Sequence, residues 1–184
     1  FDWSYHNYRN SDIDNLMLLS EYVVQNLDLS IVRVGSDVKK KINWERLNHP
    51  KIIDYSNSIF QNAKNDIDLV AGCYMFINNG GGLDTVAKAA RRKQIRINSL
   101  PILEESGYYY GFKIPKLLKN KKENRYLSYR EINKLNLARS YNTNNYLKHD
   151  LLIQENSPEE ILNVFKDYLK KDSNELNGDD IELI

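Results

Sequence analysis

The chain has almost no cysteine and no long apolar run. Cys73 is the one cysteine among 184 residues, so no disulfide can form within the chain. A lone thiol suits a reducing compartment and no signal-peptide pattern is present, so a cytoplasmic location is predicted. No apolar stretch approaches the ~20 residues of a membrane-spanning helix, which predicts a protein without a transmembrane segment.

The chain also lacks a surplus of charge of either sign. Its 26 Lys and Arg residues stand against 25 Asp and Glu residues, which gives a formal net charge of +1. This balance implies no general electrostatic attraction to nucleic acid or to a membrane. Nucleic acid is therefore not predicted as a partner.

The motifs of several enzyme classes are missing. The turn that begins at Gly35 does not match Gly-x-Gly-x-x-Gly, and no Walker A sequence occurs, which argues against an NAD enzyme or a kinase. The three histidines have no ligand spacing. Asp-x-Asp triplets begin at Asp12 and Asp66, but both fall at predicted helix starts, where acidic residues complement the dipole. Neither a cofactor nor a metal site is predicted.

Apolar periodicity predicts strands that alternate with helices. The predicted strands are 29–34, 51–54, 74–77, 94–98 and 151–153, and the predicted helices are 12–25, 58–72, 83–90, 128–137 and one that starts at Ser157. Residues 107–119 are expected to be irregular or hairpin-like, and residues 116–125 to be a basic, exposed stretch. The alternation predicts an α/β fold, a three-layer Rossmann-like parallel sheet with helices on both faces. It occupies residues 1–171, and a polar, acidic tail occupies 172–184.

Three consecutive glycines, Gly80, Gly81 and Gly82, stand between the third predicted strand and a helix that begins near Leu83. Such a loop lets a ligand approach the backbone, and the N–H groups at the helix start would face it, as in phosphate sites. Glycine-rich turns are also ordinary loop punctuation, and the triplet alone leaves both interpretations open.

Ligands of parallel sheets bind at the carboxyl ends of the strands. Three strands end in polar residues there, so we predict a shared edge. The residues that follow these strands are Arg33, Gly35 and Ser36; Asn79, Gly80, Gly81, Gly82, Leu83 and Asp84; and Asn98.

A series of short motifs resembles the carboxyl-terminal lobe of a family of bacterial glycosyltransferases, largely uncharacterised, that is associated with surface-glycan synthesis. The match covers residues 1 to about 171. Its motifs are Tyr-His-Asn-Tyr-Arg-Asn-Ser-Asp-Ile at 5–13, Val-Arg-Val-Gly at 32–35, Ile-Ile-Asp-Tyr at 52–55 with Ser58, 66–69 with 73–77, the glycine loop, Asn-Ser-Leu-Pro at 98–101 and Phe-Lys-Ile-Pro-Lys at 112–116.

The family is distantly similar to O-fucosyltransferases, which are GT-B-type enzymes with two Rossmann-like lobes. The resemblance implies that Arg33 and the glycine loop hold the diphosphate of a nucleotide-sugar donor. Relatives often carry Ser or Thr in this loop, so glycines leave the backbone N–H groups to bind phosphate. Asn98 is implied to contact the nucleotide or ribose.

The opening motif supplies the catalytic candidates. Arg9 is a second candidate for phosphate contact, although a structural salt bridge is the alternative. His6 or Asp12 is a candidate for acid–base work, although Asp12 also suits a helix cap.

Together the residues and the resemblance predict the donor-binding lobe of a glycosyltransferase. The acceptor would be a glycan or lipid-linked molecule held by an amino-terminal lobe that this chain lacks, so the chain alone should not catalyse transfer. Two alternatives remain open, namely a non-catalytic sugar-nucleotide or glycan-binding module and a lobe related to sugar-nucleotide epimerases.

Overall fold

A computed structural model describes residue 2 and the ranges 4–36, 38–43, 48–103 and 111–177, with side chains described as far as residue 171. The chain is a mixed α/β protein with parallel sheets and helices, which confirms the predicted α/β class. Three short 3-10 helices accompany the elements below, at Ser4–Arg9, Ile13–Leu16 and Tyr55–Asn57.

Five strands form two parallel sheets. Strands β1 (Ile31–Val32) and β2 (Ile52–Ile53) pair with each other, and β3 (Met75–Asn78), β4 (Lys93–Ser99) and β5 (Gly111–Pro115) form a sheet in that order. Strand β4 lies in the centre and is buried from Gln94 onward. The carboxyl ends of β3, β4 and β5 therefore meet at one edge.

Helices α1 (Met17–Asn26) and α6 (Pro158–Asn177) pack together and against β4. Their shared core includes Leu19 and Val23 of α1, Ile95 of β4 and Phe165 of α6. Helix α2 (Ala63–Gly72) packs against α3 (Leu83–Ala89), which contacts β3. The predicted helix at 12–25 begins as a 3-10 helix before α1, and the predicted helix at 58–72 begins only at Ala63.

The last third of the chain builds a separate antiparallel sheet. Its strands β6 (Leu117–Asn120), β7 (Arg125–Tyr126) and β8 (Leu151–Gln154) lie in the order β7-β6-β8. Helices α4 (Tyr129–Lys134) and α5 (Thr143–Leu147) accompany it. A second core joins this sheet to the start of the chain and includes Tyr8, Leu118 and Tyr146. The predicted strand at 151–153 exists, but it pairs with β6 and not with the parallel sheet.

Two further predictions concern the segment before β6 and the last helix. The interval 107–119, expected to be irregular or hairpin-like, contains β5 and most of β6, which belong to different sheets, while residues 104–110 lie outside the described part. Gly111 and Pro115 resemble turn signals, yet they bound a strand because β4 offers a long-range partner. Helix α6 also continues to Asn177, past the expected domain boundary at 171.

Candidate functional site

Residues 4–15, which we term the opening segment, contact the carboxyl edge of the β3-β4-β5 sheet through Arg9, Asn10 and Ser11. Asn79 follows β3, and its side-chain Nδ2 donates to the backbone oxygen of Arg9 at 3.1 Å and to Ser11 Oγ at 3.4 Å. The glycine loop (residues 79–82) and the opening segment are therefore in direct contact. This contact joins two regions that were predicted separately from the sequence.

The three glycines of the loop differ in whether the fold itself requires glycine at their position. Gly80 has a φ of 88°, in the left-handed region that favours glycine, and its N–H donates to Asn78 Oδ1 at 3.0 Å. A Cβ at Gly81 or Gly82 would meet no atom within 4 Å. Gly82 has helical angles, a φ of −58° and a ψ of −31°. Within the loop, the fold therefore requires glycine only at Gly80. At Gly81 and Gly82 the missing side chains leave the backbone accessible, and packing does not explain why these residues are glycine.

Helix α3 begins at Leu83, directly after the loop, and Gly82 provides no side-chain cap. Asp84 does not face an open site, because its buried carboxylate pairs with Arg96 and lies 3.2 Å from Lys88 Nζ. Arg96 is itself 1% exposed. The Asp84 carboxylate thus balances the charges of Arg96 and Lys88. This arrangement does not support the predicted contact between Asp84 and a nucleotide-sugar donor.

Arg33 follows β1 and already has partners. Its Nη1 donates to the backbone oxygen of Lys40 at 2.6 Å and lies 3.5 Å from Asp54 Oδ2. Burial raises the pKa of Asp54, but hydrogen bonds from Ser56 and Asn57 and the Arg33 charge outweigh it and leave that pKa lowered. The Arg33 charge is therefore balanced by an ionised carboxylate, and a diphosphate would have to compete with it.

The loop after Arg33 belongs to the same neighbourhood. Gly35 has a φ of 128°, which requires glycine, and Ser36 is exposed. Lys40 then reaches back to the opening segment, where its Nζ lies 2.7 Å from both Asp12 Oδ1 and Asp14 Oδ2. Arg33 and the glycine loop are thus linked through Lys40 and the opening segment, and the described hydrogen bonds do not join them directly.

The catalytic candidates of the opening segment have different surroundings. The ring of His6 lies 4.0 Å from that of Tyr5, and burial together with the Arg9 charge lowers the pKa of His6. A neutral imidazole is therefore favoured. Arg9 Nε donates to the Tyr8 hydroxyl at 3.0 Å, and its guanidinium lies 5.6 Å from the centre of that ring.

Asp12 has the structural role that was its alternative. Its Oδ1 accepts a 3.0 Å hydrogen bond from the N–H of Asp14 and caps the 3-10 helix Ile13–Leu16. The hydrogen bond from Lys40 is the main cause that lowers the pKa of Asp12. The carboxylate therefore stays ionised near neutral pH and is not a general acid, although an ionised carboxylate can still accept a proton.

Asn98, at the end of β4, is sealed inside the protein. It has a φ of 51° and is 0% exposed, and its N–H donates to Asn156 Oδ1 at 2.6 Å. The N–H of Asn156 donates in return to Asn98 Oδ1 at 2.6 Å. Within the described chain, Asn98 Nδ2 and the neighbouring Ser99 Oγ have no hydrogen-bond partner. A nucleotide reaches Asn98 only if the covering residues move.

Two charged residues at this edge were not predicted. Lys116 follows β5 and is 3% exposed, so the expectation of an exposed stretch beginning there is wrong at this position. Glu155 follows β8, and its Oε1 lies 3.6 Å from Lys116 Nζ. Lys116 was missed because β5 was not predicted as a strand. Glu155 was missed although a strand was predicted at 151–153, because that strand was not among those whose polar ends were selected.

No protein-family model matches the chain, and searches of the curated proteins and of the solved structures find no significant match either. Among the described residues, no group of three or more His, Cys, Asp or Glu side chains is arranged to hold a metal ion. In the same residues, no helix combines the length and the apolar character that crossing a bilayer demands.

Proposed function

We propose that this chain is the donor-binding lobe of a GT-B-type glycosyltransferase and holds a nucleoside diphosphate at the carboxyl edge of its sheet. The observation that carries the proposal is the pair Gly81 and Gly82. Neither has a neighbour within 4 Å or a positive φ, so the fold itself does not demand glycine. A phosphate that approaches the backbone does demand it, because any Cβ would occupy the path.

The chemistry of sugar transfer fits the charges around this loop. Negative charge develops on the departing diphosphate, and backbone N–H groups and guanidinium groups stabilise it. Arg9 belongs to a segment that Asn79 fastens to the loop, and Arg33 reaches the same segment through Lys40. His6, with its lowered pKa, is the base for the acceptor hydroxyl. No metal is needed in this scheme, and the acceptor would come from a second lobe.

Titration calorimetry with GDP, UDP, dTDP and CMP tests the donor site. We expect weak binding of one nucleoside diphosphate and no sugar transfer by this chain alone. Arg9→Ala should weaken that binding about 10- to 150-fold, the equivalent of one charge-assisted hydrogen bond of ~1.5–3 kcal/mol. Arg33→Lys keeps a charge beside Asp54 while it removes the guanidinium, and it should weaken binding in the same direction.

Arg130→Ala is the matched control, because Arg130 is exposed on α4, and it should leave nucleotide affinity unchanged. Circular dichroism verifies that each variant is folded. The site assignment fails if none of the four nucleotides binds. It also fails if Arg9→Ala and Arg33→Lys both bind as tightly as the wild type.

The capping role of Asp12 favours a second candidate function, a non-catalytic sugar-nucleotide or glycan-binding module, because it gives one acid–base candidate a structural role. Asp12 caps a helix, Arg33 is balanced by Asp54, and Asn98 is sealed by Asn156, so three of the candidates serve the fold. A transfer assay on a protein that contains this chain together with an acceptor lobe separates the two candidates. Transfer that is lost in His6→Ala supports the enzyme, and nucleotide binding without transfer supports the module.

A further inference from the structure

Lys116, which is buried, and Glu155, whose side chain is 28% exposed, form an attachment point for the opening segment. Lys116 Nζ donates to the backbone oxygen of Asn10. Glu155 Oε2 accepts from the N–H of Asp12 at 2.9 Å and from Asn15 Nδ2 at 2.8 Å. Two charged side chains from distant parts of the sequence are therefore directed at one short piece of chain.

These contacts define the course of the opening segment. The consecutive carbonyls of Arg9 and Asn10 are held by Asn79, after β3, and by Lys116, after β5. Strands β3 and β5 flank β4, so they lie about 10 Å apart, or two strand spacings. The segment therefore passes over the end of β4, which agrees with the 0% and 1% exposure of Asn98 and Ser99.

Burying the charge of Lys116 costs free energy, so packing alone does not explain why a lysine occupies this position. Burial lowers the pKa of Lys116, while the Glu155 charge and hydrogen bond oppose that shift. Removing the Lys116 ammonium group from water costs free energy, which an apolar side chain of similar volume would not. The two charged groups do fix the position of the opening segment, because an ammonium group and a carboxylate form strong, directional hydrogen bonds with the backbone groups that they bind.

We propose that Lys116 and Glu155 are positioning residues of the donor site. They hold the opening segment across the sheet edge so that Arg9 lies beside the glycine loop. Neither residue contacts the ligand, and both act through the segment. The inference rests on the proposed function, since it assigns these residues to the same nucleotide site.

The test uses Lys116→Met, with Glu155→Gln as a second variant in case the first does not fold, and Lys121→Met as control. Lys121 forms an exposed ion pair with Asp150, at 3.5 Å, in the same antiparallel region. Hydrogen exchange of residues 4–15 is measured without nucleotide, and calorimetry then gives the affinity for the diphosphate that the wild type binds. We expect Lys116→Met to speed exchange of residues 4–15 and to weaken binding about tenfold, and Lys121→Met to change neither.

A double-mutant cycle of Lys116→Met with Arg9→Ala separates positioning from general destabilisation. If Lys116 acts through Arg9, Lys116→Met should weaken binding much less in the Arg9→Ala background. Additive losses, or exchange of residues 4–15 that stays at the wild-type rate, overturn the inference while the proposed function stands. Wild-type protein that binds none of the diphosphates overturns the proposed function, and this inference with it.

Discussion

Replacing Gly82 with alanine separates a phosphate-binding loop from an ordinary turn. Gly82 has helical angles, and the added Cβ would meet no atom within 4 Å. Alanine restricts the unfolded chain more than glycine does, so the substitution should stabilise the protein by about 0.4–1 kcal/mol. For a chain of this size that corresponds to a rise in Tm of about 1–4 °C.

The effect on binding should have the opposite sign. A methyl group at Gly82 occupies the space through which a phosphate oxygen approaches the N–H groups of the loop. Loss of one charge-assisted hydrogen bond costs ~1.5–3 kcal/mol, so affinity for the nucleoside diphosphate should fall about 10- to 150-fold. A more stable protein that binds its ligand less tightly is not the result of general damage.

The assay combines a thermal melt followed by circular dichroism with titration calorimetry. Gly72→Ala is a matched control, because Gly72 ends α2 and a Cβ there also meets nothing within 4 Å. It should be compatible with the fold and leave the affinity unchanged. If Gly82→Ala raises Tm while the affinity stays at the wild-type value, the loop is a turn and the phosphate assignment is wrong.

Three further substitutions probe the framework of the fold. Gly111→Ala should destabilise the chain by more than about 4 kcal/mol in urea unfolding, because its Cβ would lie 1.6 Å from a backbone oxygen of β4. Arg96→Met should cost about 3–5 kcal/mol by leaving the Asp84 carboxylate buried without it, and a second change, Asp84→Leu, should recover part of that loss. The hydrogen bond from Arg125 leads the contacts that lower the pKa of Glu131 to about 2 from its ordinary 4.5. The stability due to ionised Glu131 is therefore complete above pH 4.5 and lost as the pH falls towards 2, and Glu131→Gln should remove that dependence.

Each of these expectations has an outcome that contradicts it. A Gly111→Ala protein with wild-type unfolding would show that β5 does not approach β4 as described. If the double change at Asp84 and Arg96 were no better than Arg96→Met, the buried charge would not be the cause of the loss. Equal slopes of stability against pH between 4.5 and 2 for wild type and Glu131→Gln would exclude the Arg125 interaction.

Local signals in the sequence predicted much of the secondary structure. The helix predicted to start at Ser157 is present, and Ser157 Oγ accepts from the N–H of Glu160 at 3.2 Å. The N–H of Ser157 in turn donates to Glu160 Oε2 at 2.8 Å. Such capping signals are contained within four residues, so no knowledge of the fold is needed to interpret them.

Long-range pairing could not be predicted in the same way. Strand β5 lies between a glycine and a proline, and only the neighbouring β4 makes it a strand. Lys116 appeared to begin an exposed basic stretch, yet burial against Asn10 and Glu155 depends on residues 106 positions before it and 39 after it. The partners that balance the Lys116 charge come together only in the folded protein, so the sequence around Lys116 contains no periodic pattern that predicts its burial.

The candidate site was predicted as a set of polar residues at strand ends. The structure shows that these residues differ in whether they already have partners within the chain. Asn79 lies at the predicted sheet edge and contacts the opening segment, a contact that the sequence did not predict. Arg33 and Asn98 lie at strand ends too, but Asp54 and Asn156 engage them. A single sequence indicates which polar residues follow a strand. It does not indicate which residues from elsewhere in the chain will form ion pairs or hydrogen bonds with them.

The opening segment also sets an order of events during synthesis. Asp12 is fastened by Glu155, 143 residues later, and Tyr8 by Thr143, 135 residues later. At about 5–20 residues per second, a ribosome needs about 7–30 s between Asp12 and Glu155. During that interval the opening segment is without the residues that anchor it, so the candidate site can be completed only after Glu155 has been synthesised.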